Sequence, residues 1–177
     1  MLIDMERLAS LGDLEQFTVE RNGRPFSRID FNFWGVTFGR DSRRFYATLG
    51  YTGTRLLVTG DSERRHLRVL RDRVECPSLS PDERLIAFKS RQPDSGEWRP
   101  HVIDVDSGAE WEVAGETRNI DDQIEWLDDG TLLYQYAAPR GLPEDAVNVW
   151  KSPATRGDSA PPVLFIRAAT SPAVVRP

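Results

Sequence analysis

Apolar and polar positions alternate along most of this chain in short runs, and Gly, Pro, Asn or Asp interrupts the runs at close intervals. A period of two places successive side chains on opposite faces of a strand, and the interrupting residues supply the turns. "PSLSPDERLIAFKSR", Pro77 to Arg91, is typical: an apolar stub, a Ser-Pro-Asp turn, then an alternating run that together predict a β-hairpin. Only "IDMERLASLGDLEQF" has helical spacing, and Gly12 interrupts it. The pattern predicts an all-β chain.

The hairpin recurs. "VTFGRDSRRFYATL" from Val36, "PSLSPDERLIAFKS" from Pro77 and "IEWLDDGTLLYQYA" from Ile124 align with one another. Each has an apolar residue at one place (Phe38, Leu79, Trp126), then an aspartate in a tight turn (Asp41, Asp82, Asp129), then an apolar strand with an aromatic. The aspartates lie 41 and 47 residues apart, within the roughly 40 to 50 residue period of propeller blades. After each hairpin comes strand, polar turn, strand, as in "RPHVIDVDSGAEWEVAG". A four-stranded blade cannot bury both faces alone, so repeated blades are expected to stack.

"PSLSPDERLIAF" followed by "HVIDVDSGAE" resembles the repeat of the TolB-like, or WD40-like, β-propellers, with apolar-Ser-Pro-Asp-Gly, a strand, and an Asp-x-x-x-Gly turn between outer strands. Glu83 and Ser42 stand where that family usually has glycine, and the third repeat has Gly130 but no Ser-Pro. The stretch from "FNFWGVTF" to "SPAVV" also resembles the C-terminal half of a group of bacterial TolB-like proteins. The resemblance implies a propeller and an envelope or exported setting; it supplies no activity.

The expected architecture is therefore β-propeller-type: four-stranded antiparallel blades in one domain, at about 33–73, 74–119 and 120–168. Two ends remain. "SPAVV" aligns with "CPSLS", which predicts an innermost strand, and "FTVERNGRPFSRI" carries the Asn22-Gly23 signal of a type I′ hairpin. Together 1–32 and 169–177 would form a terminal blade, giving a small four-bladed ring; the alternative is a partial, open arc whose edges pair with a second copy.

Composition narrows the partners. A net charge of -5 and no Lys/Arg block longer than two residues argue against a nucleic-acid binder. No stretch approaches the roughly 18 to 20 apolar residues of a membrane span, and "MLIDMERLAS" lacks the pattern of a leader, so the chain as it stands reads as cytoplasmic, or as extracytoplasmic if an upstream leader was removed. Cys76, the single cysteine, excludes an internal disulfide.

No catalytic constellation emerges. His66 and His101 fall in different blades, "DVDSG" lacks the remaining ligands of a calcium loop, and the acidic run "DDQIEWLDD" suits turns and strand starts. Neither a metal nor a cofactor is expected. Trp34, Glu75 and Asp122 align at the starts of the innermost strands, with Gly35, Cys76 and Gln123 beside them. In propellers such positions surround the channel mouth, where ligands bind. Trp34, Glu75, Cys76, Asp122 and Gln123 are thus the candidate ligand-binding residues. Two functions follow: a non-catalytic module binding a protein partner or a second copy, or a small-ligand, hydrolytic or lyase-type propeller using the mouth carboxylates.

Overall fold

The computed structural model describes residues 1–5, 7–137 and 147–176. The chain falls into two compact units, Met1–Glu75 and Cys76–Pro177. Strands dominate both, and no α-helix occurs among the described residues. The one stretch with helical spacing forms instead a small ladder of β1 (Leu2–Asp4) and β2 (Ala9–Gly12), then a 3-10 turn at Leu14–Gln16. Gly12, at φ 97°, takes a conformation that a helix excludes.

In the first unit, β3 (Thr18–Arg21) and β4 (Arg24–Pro25) form a hairpin, and β5 (Asn32–Phe38), β6 (Arg44–Tyr51), β7 (Thr54–Asp61) and β8 (His66–Asp72) form an antiparallel blade. The hairpin turns as its sequence predicts, with Asn22 at φ 53° and Gly23 at φ 72°. Its partner differs from expectation. β3 pairs in parallel with β8, so the sheet runs β4-β3-β8-β7-β6-β5, and the hairpin extends the first blade in place of starting a terminal one. Burial accounts for this: Phe17 and Val19 join Phe45, Leu49, Leu56 and Leu67 in one core. Phe17 meets Phe45 edge-on at 6.4 Å between ring centroids.

The second unit holds two four-stranded antiparallel blades. One comprises β9 (Glu75–Leu79, beginning at the unit boundary), β10 (Leu85–Arg91), β11 (Trp98–Asp104) and β12 (Glu110–Glu112). The other comprises β13 (Glu125–Asp128), β14 (Thr131–Ala137), β15 (Val147–Pro153) and β16 (Val163–Ile166). Ala87, Val102, Ile124, Leu132 and Tyr134 form a core shared by both blades. Trp126 is wholly buried there, and its indole Nε1 donates to the Ser78 carbonyl at 2.8 Å, from β13 to β9. Trp111 Nε1 likewise donates to the Ala154 carbonyl at 2.8 Å. A Cβ on Gly115 would lie 2.0 Å from the Ala160 carbonyl oxygen, so only glycine permits that approach. The C-terminal segment forms no strand over 172–176. It is tied to the last blade by Ser171 N to Gln135 Oε1 (3.2 Å) and by Arg176 to the Trp126 carbonyl, and Pro172 has no amide to offer a ladder.

The inner turns repeat in detail. Asp41 Oδ1 accepts from the amides of Arg43 and Arg44, and Asp82 Oδ1 from the Ser80 hydroxyl and the Arg84 amide. Ser42 and Glu83, where the family resemblance expects glycine, both adopt left-handed φ, 53° and 63°. In the third repeat the capping carboxylate is Asp128, which accepts from Gly130 N at 2.9 Å; Asp129, the aligned aspartate, instead accepts from Asp82 N in the neighbouring blade at 2.9 Å. The outer turns use the same device. Asp61 accepts from the Glu63 and Arg64 amides, and Asp104 from the Ser107 amide and hydroxyl. "DVDSG" is thus a capped turn.

The innermost strands share a second device. Gly35 (φ 59°) lies in a bulge of the β5–β6 ladder, between Trp34 and Thr37, and Cys76, its aligned counterpart, has φ 53°. A side chain in this region is strained, and a β-branched one more so.

Three outcomes are expected. Trp126→Ala lowers unfolding stability by about 3–5 kcal/mol, and Trp126→Phe, which keeps most packing but orphans the Ser78 carbonyl, by about 1–3 kcal/mol; urea unfolding followed by circular dichroism measures both. Cys76→Gly stays within about 1 kcal/mol of the parent, whereas Cys76→Val costs roughly 1–3 kcal/mol, because the gain in backbone freedom and the relief of strain oppose one another only for glycine. Asp61 supplies a pH dependence: the Arg43 guanidinium, then the Arg64 amide, hold its carboxyl down at about 2. Its contribution is complete above the ordinary carboxylate value near 4 and is lost as pH falls toward 2. Asp61→Asn should therefore melt lower than the parent at neutral pH, with the two melting curves converging at about pH 2.

Candidate functional site

Trp34 is the last paired residue of β5 before the bulge, and its ring lies against Gly50 on β6; a Cβ there would approach the ring to 2.5 Å. The Arg55 guanidinium, from the residue paired with Gly50 on β7, stands over the indole, 5.1 Å from the ring centroid. Arg55 Nε in turn pairs with Glu75 Oε1 at 3.5 Å. Two of the expected residues, Trp34 and Glu75, are thus joined through a third that the alignment had not singled out. Trp34 is half-buried, Glu75 is largely covered, and a planar guanidinium suits this place because it can stack on a ring while its edge meets a carboxylate.

In the second unit Cys76 has left-handed backbone and is half-buried, outside any disulfide. The acidic run that leads into β13 alternates: Asp121 and Gln123 are exposed, while Ile124 and Trp126 are buried. Asp122 Oδ2 accepts from Gln135 N at 2.8 Å, which ties the approach of β13 to β14. Burial pushes the Asp122 carboxyl above the usual range, against the pull of the Gln135 and Gln123 amides and of Lys89. Asp121 pairs with Lys89, a β10 amine that is only 8% exposed and lies 4.9 Å from the Trp98 ring centroid. Lys89, Asp121 and Asp122 therefore form one charged group beside an indole. Gln123 remains a solvent-facing neighbour of that group.

The histidines each have a local carboxylate. His66 Nε2 lies 3.8 Å from Glu20 Oε2, and His101 Nδ1 lies 2.9 Å from Glu110 Oε1. No group of three or more His, Cys, Asp or Glu side chains arranged for a metal ion occurs among the described residues.

Sequence reading missed a buried polar cluster. Glu116, in the loop after β12, is 1% exposed and accepts from Tyr134 Oη at 2.6 Å and from Arg118 Nη2 at 2.5 Å. Burial pushes its carboxyl up, but the bonds from Arg118 and Tyr134 outweigh it and leave it below the ordinary value. Burial, then the bond to Glu116, pushes the Tyr134 hydroxyl far up. Arg118 lies between two rings, 4.3 Å from Tyr136 and 4.2 Å from Trp150. The only sequence signal was a Glu-x-Arg pair ahead of aromatics at alternate positions of β14, and nothing in periodicity joins them. The cluster fixes the inter-blade loop onto β14 and β15, a structural use that leaves its carboxylate saturated.

No protein-family model and no curated protein matches the chain. Solved structures do. TolB from Acinetobacter baumannii aligns with 81% of this chain at 14% identity and a TM-score of 0.59, over 34% of its own length. A putative TolB from Agrobacterium tumefaciens aligns with 81% at 16% identity and a TM-score of 0.59, over 52% of its length. The β-propeller domain of the Trilobed protease from Pyrococcus furiosus, which has an open velcro topology, aligns with 78% at 16% identity and a TM-score of 0.59, over 44% of its length. The chain spans about a third to a half of these structures. Together with the sheets described above, these likenesses give the chain the all-β fold of TolB-like β-propeller blades.

Proposed function

We propose that the chain is a non-catalytic β-propeller module that binds a protein partner or a second copy of itself. The observation that carries this is the Trp34–Arg55–Glu75 stack. Tryptophan and arginine are the side chains most often found to dominate interface energies, and here both are held in fixed geometry while remaining partly open to solvent. The carboxylates at the strand starts support the same reading: Glu75 is engaged by Arg55, and Asp122 caps a backbone amide. The TolB likenesses supply the fold alone, and the protease neighbour uses its propeller as one domain of a longer protein.

A small-ligand or hydrolytic reading draws on Asp122 beside Lys89, a half-buried carboxyl that burial pushes up. That reading predicts a rise in melting temperature with a metabolite or metal, by mass action.

The discriminating experiment is affinity capture with the tagged parent, Trp34→Ala and Asp122→Ala proteins, with recovered proteins quantified by mass spectrometry. Trp34→Ala should reduce recovery of at least one specific partner, or of a differently tagged copy of the chain, about tenfold, with Asp122→Ala less affected. Equal recovery of every protein by all three would remove these strand starts as the contact surface.

A further inference from the structure

A second surface, at the other end of the hairpin from Phe17, has a chemistry of its own. The first unit carries 13 arginines, no lysine and 11 acidic residues, a net of +2, while the second carries 10 basic and 17 acidic residues, a net of -7. Several of those arginines converge where the β3–β4 hairpin meets the end of β8. A cleft of about 520 Å³ is lined by Arg21, Asn22, Val69, Leu70 and the run Arg71, Asp72 and Arg73. Another, of about 800 Å³, is lined by Arg28, Ile29, Tyr51 and their neighbours. Arg21 joins the two: its Nη2 bonds both oxygens of Asp72 at 2.9 and 3.0 Å, and its Nη1 meets the Tyr51 hydroxyl at 3.3 Å.

The aromatic floor orients the cations. Phe26 packs against Phe31 and Tyr51 with centroids 5.2 and 5.4 Å apart. The Arg28 guanidinium stands 5.9 Å from the Phe26 centroid and 6.0 Å from that of Tyr51, and Arg21 stands 5.7 Å from Phe26. A guanidinium stacked in this way keeps its N–H edge available for a carboxylate fork. Asp72 is paired with Arg21, and Asp30, which accepts from the Thr52 amide and hydroxyl at 2.8 and 2.6 Å, keeps its charge; the two clefts are lined by four arginines, Arg21, Arg28, Arg71 and Arg73, against these two aspartates. Arg28 and Arg73 are exposed, and Ile29 is fully so.

We propose that this arginine-aromatic surface, in which Arg28 stands over Phe26 and Tyr51 and Arg73 lines the adjoining cleft beside the Arg21–Asp72 pair, docks an acidic peptide segment of a partner protein that also carries apolar side chains. Charge complementarity selects carboxylates, and the exposed Ile29 beside the ring cluster selects apolar neighbours. Binding proceeds through side chains, because the edge strand β4 contains Pro25, which has no amide for an added strand. A polyphosphate backbone fits less well, since it offers no apolar side chain to the exposed Ile29 and the chain as a whole is at -5. This surface uses residues other than the Trp34 stack, which it adjoins through the Arg73 amide on the Arg55 carbonyl at 2.7 Å, and it extends the proposed function by naming the chemistry of a partner.

The test is fluorescence anisotropy with the full chain and three labelled probes: a short peptide of glutamate and phenylalanine, the same peptide with glutamine for glutamate, and an oligothymidylate of equal length. The acidic peptide should bind with an affinity that falls as salt rises, and the glutamine peptide about tenfold or more weakly. Arg28→Ala combined with Arg73→Ala should lower affinity for the acidic peptide about tenfold, and Arg28→Lys should recover only part of it, because the charge returns without the planar fork. Equal binding of the two peptides by the parent overturns the proposal without recourse to any variant. Stronger binding of the oligothymidylate overturns it in favour of nucleic acid. Self-association by light scattering that the double variant abolishes, with no binding of the acidic peptide, overturns it in favour of a second copy.

Discussion

The second unit depends on one packing constraint: a four-stranded blade has two apolar faces, and its neighbour must cover one of them. Trp126 meets that constraint. It fills the space between β13 and the preceding blade, and because a buried indole also carries an N–H, the Ser78 carbonyl must stand where that donor points. The relative position of the two blades is therefore fixed by a hydrogen bond as well as by area. Trp111 to Ala154, Asp129 to Asp82 and the close approach at Gly115 follow from the same spacing.

Around these cores the polar groups are economical. Short aspartates cap the inner turns and the outer turns alike, and each cap satisfies amides that a five-residue or shorter connection would leave unpaired. The charged residues at the strand starts are used in the same manner, with Asp122 on an amide and Glu75 on Arg55. The aromatic rings serve as platforms for cations throughout: Trp34 for Arg55, Trp98 for Lys89, and Tyr136 with Trp150 for Arg118.

Much of this was legible from local pattern. Alternation predicted strands, the Ser-Pro-Asp and Asp-Asp-Gly turns predicted hairpins, and Asn22-Gly23 predicted a left-handed turn, because each depends on residues only a few positions apart. Ser42 and Glu83, where the family resemblance expects glycine, are left-handed although neither side chain favours it. The aligned repeat misassigned the third turn by one residue, since Asp128 and Asp129 are chemically identical and only the bulge in the β13–β14 ladder decides which carboxylate caps and which reaches the neighbouring blade.

Sequence by itself determined the strand order within each blade, the capped turns and the all-β character, since these follow from side-chain period and turn chemistry. Tertiary structure alone decided the rest. The β3–β4 hairpin joined β8 because Phe17 and Val19 found their core there, 172–176 remained outside any ladder, and Glu116 met Arg118 and Tyr134 in a cluster that no spacing announces. The candidate site divides in the same way. The positions of Trp34, Glu75, Cys76, Asp122 and Gln123 came from aligning repeats, whereas Arg55 and Lys89 became visible only once neighbouring strands set them beside those residues, because cross-strand contact depends on register and not on distance along the chain.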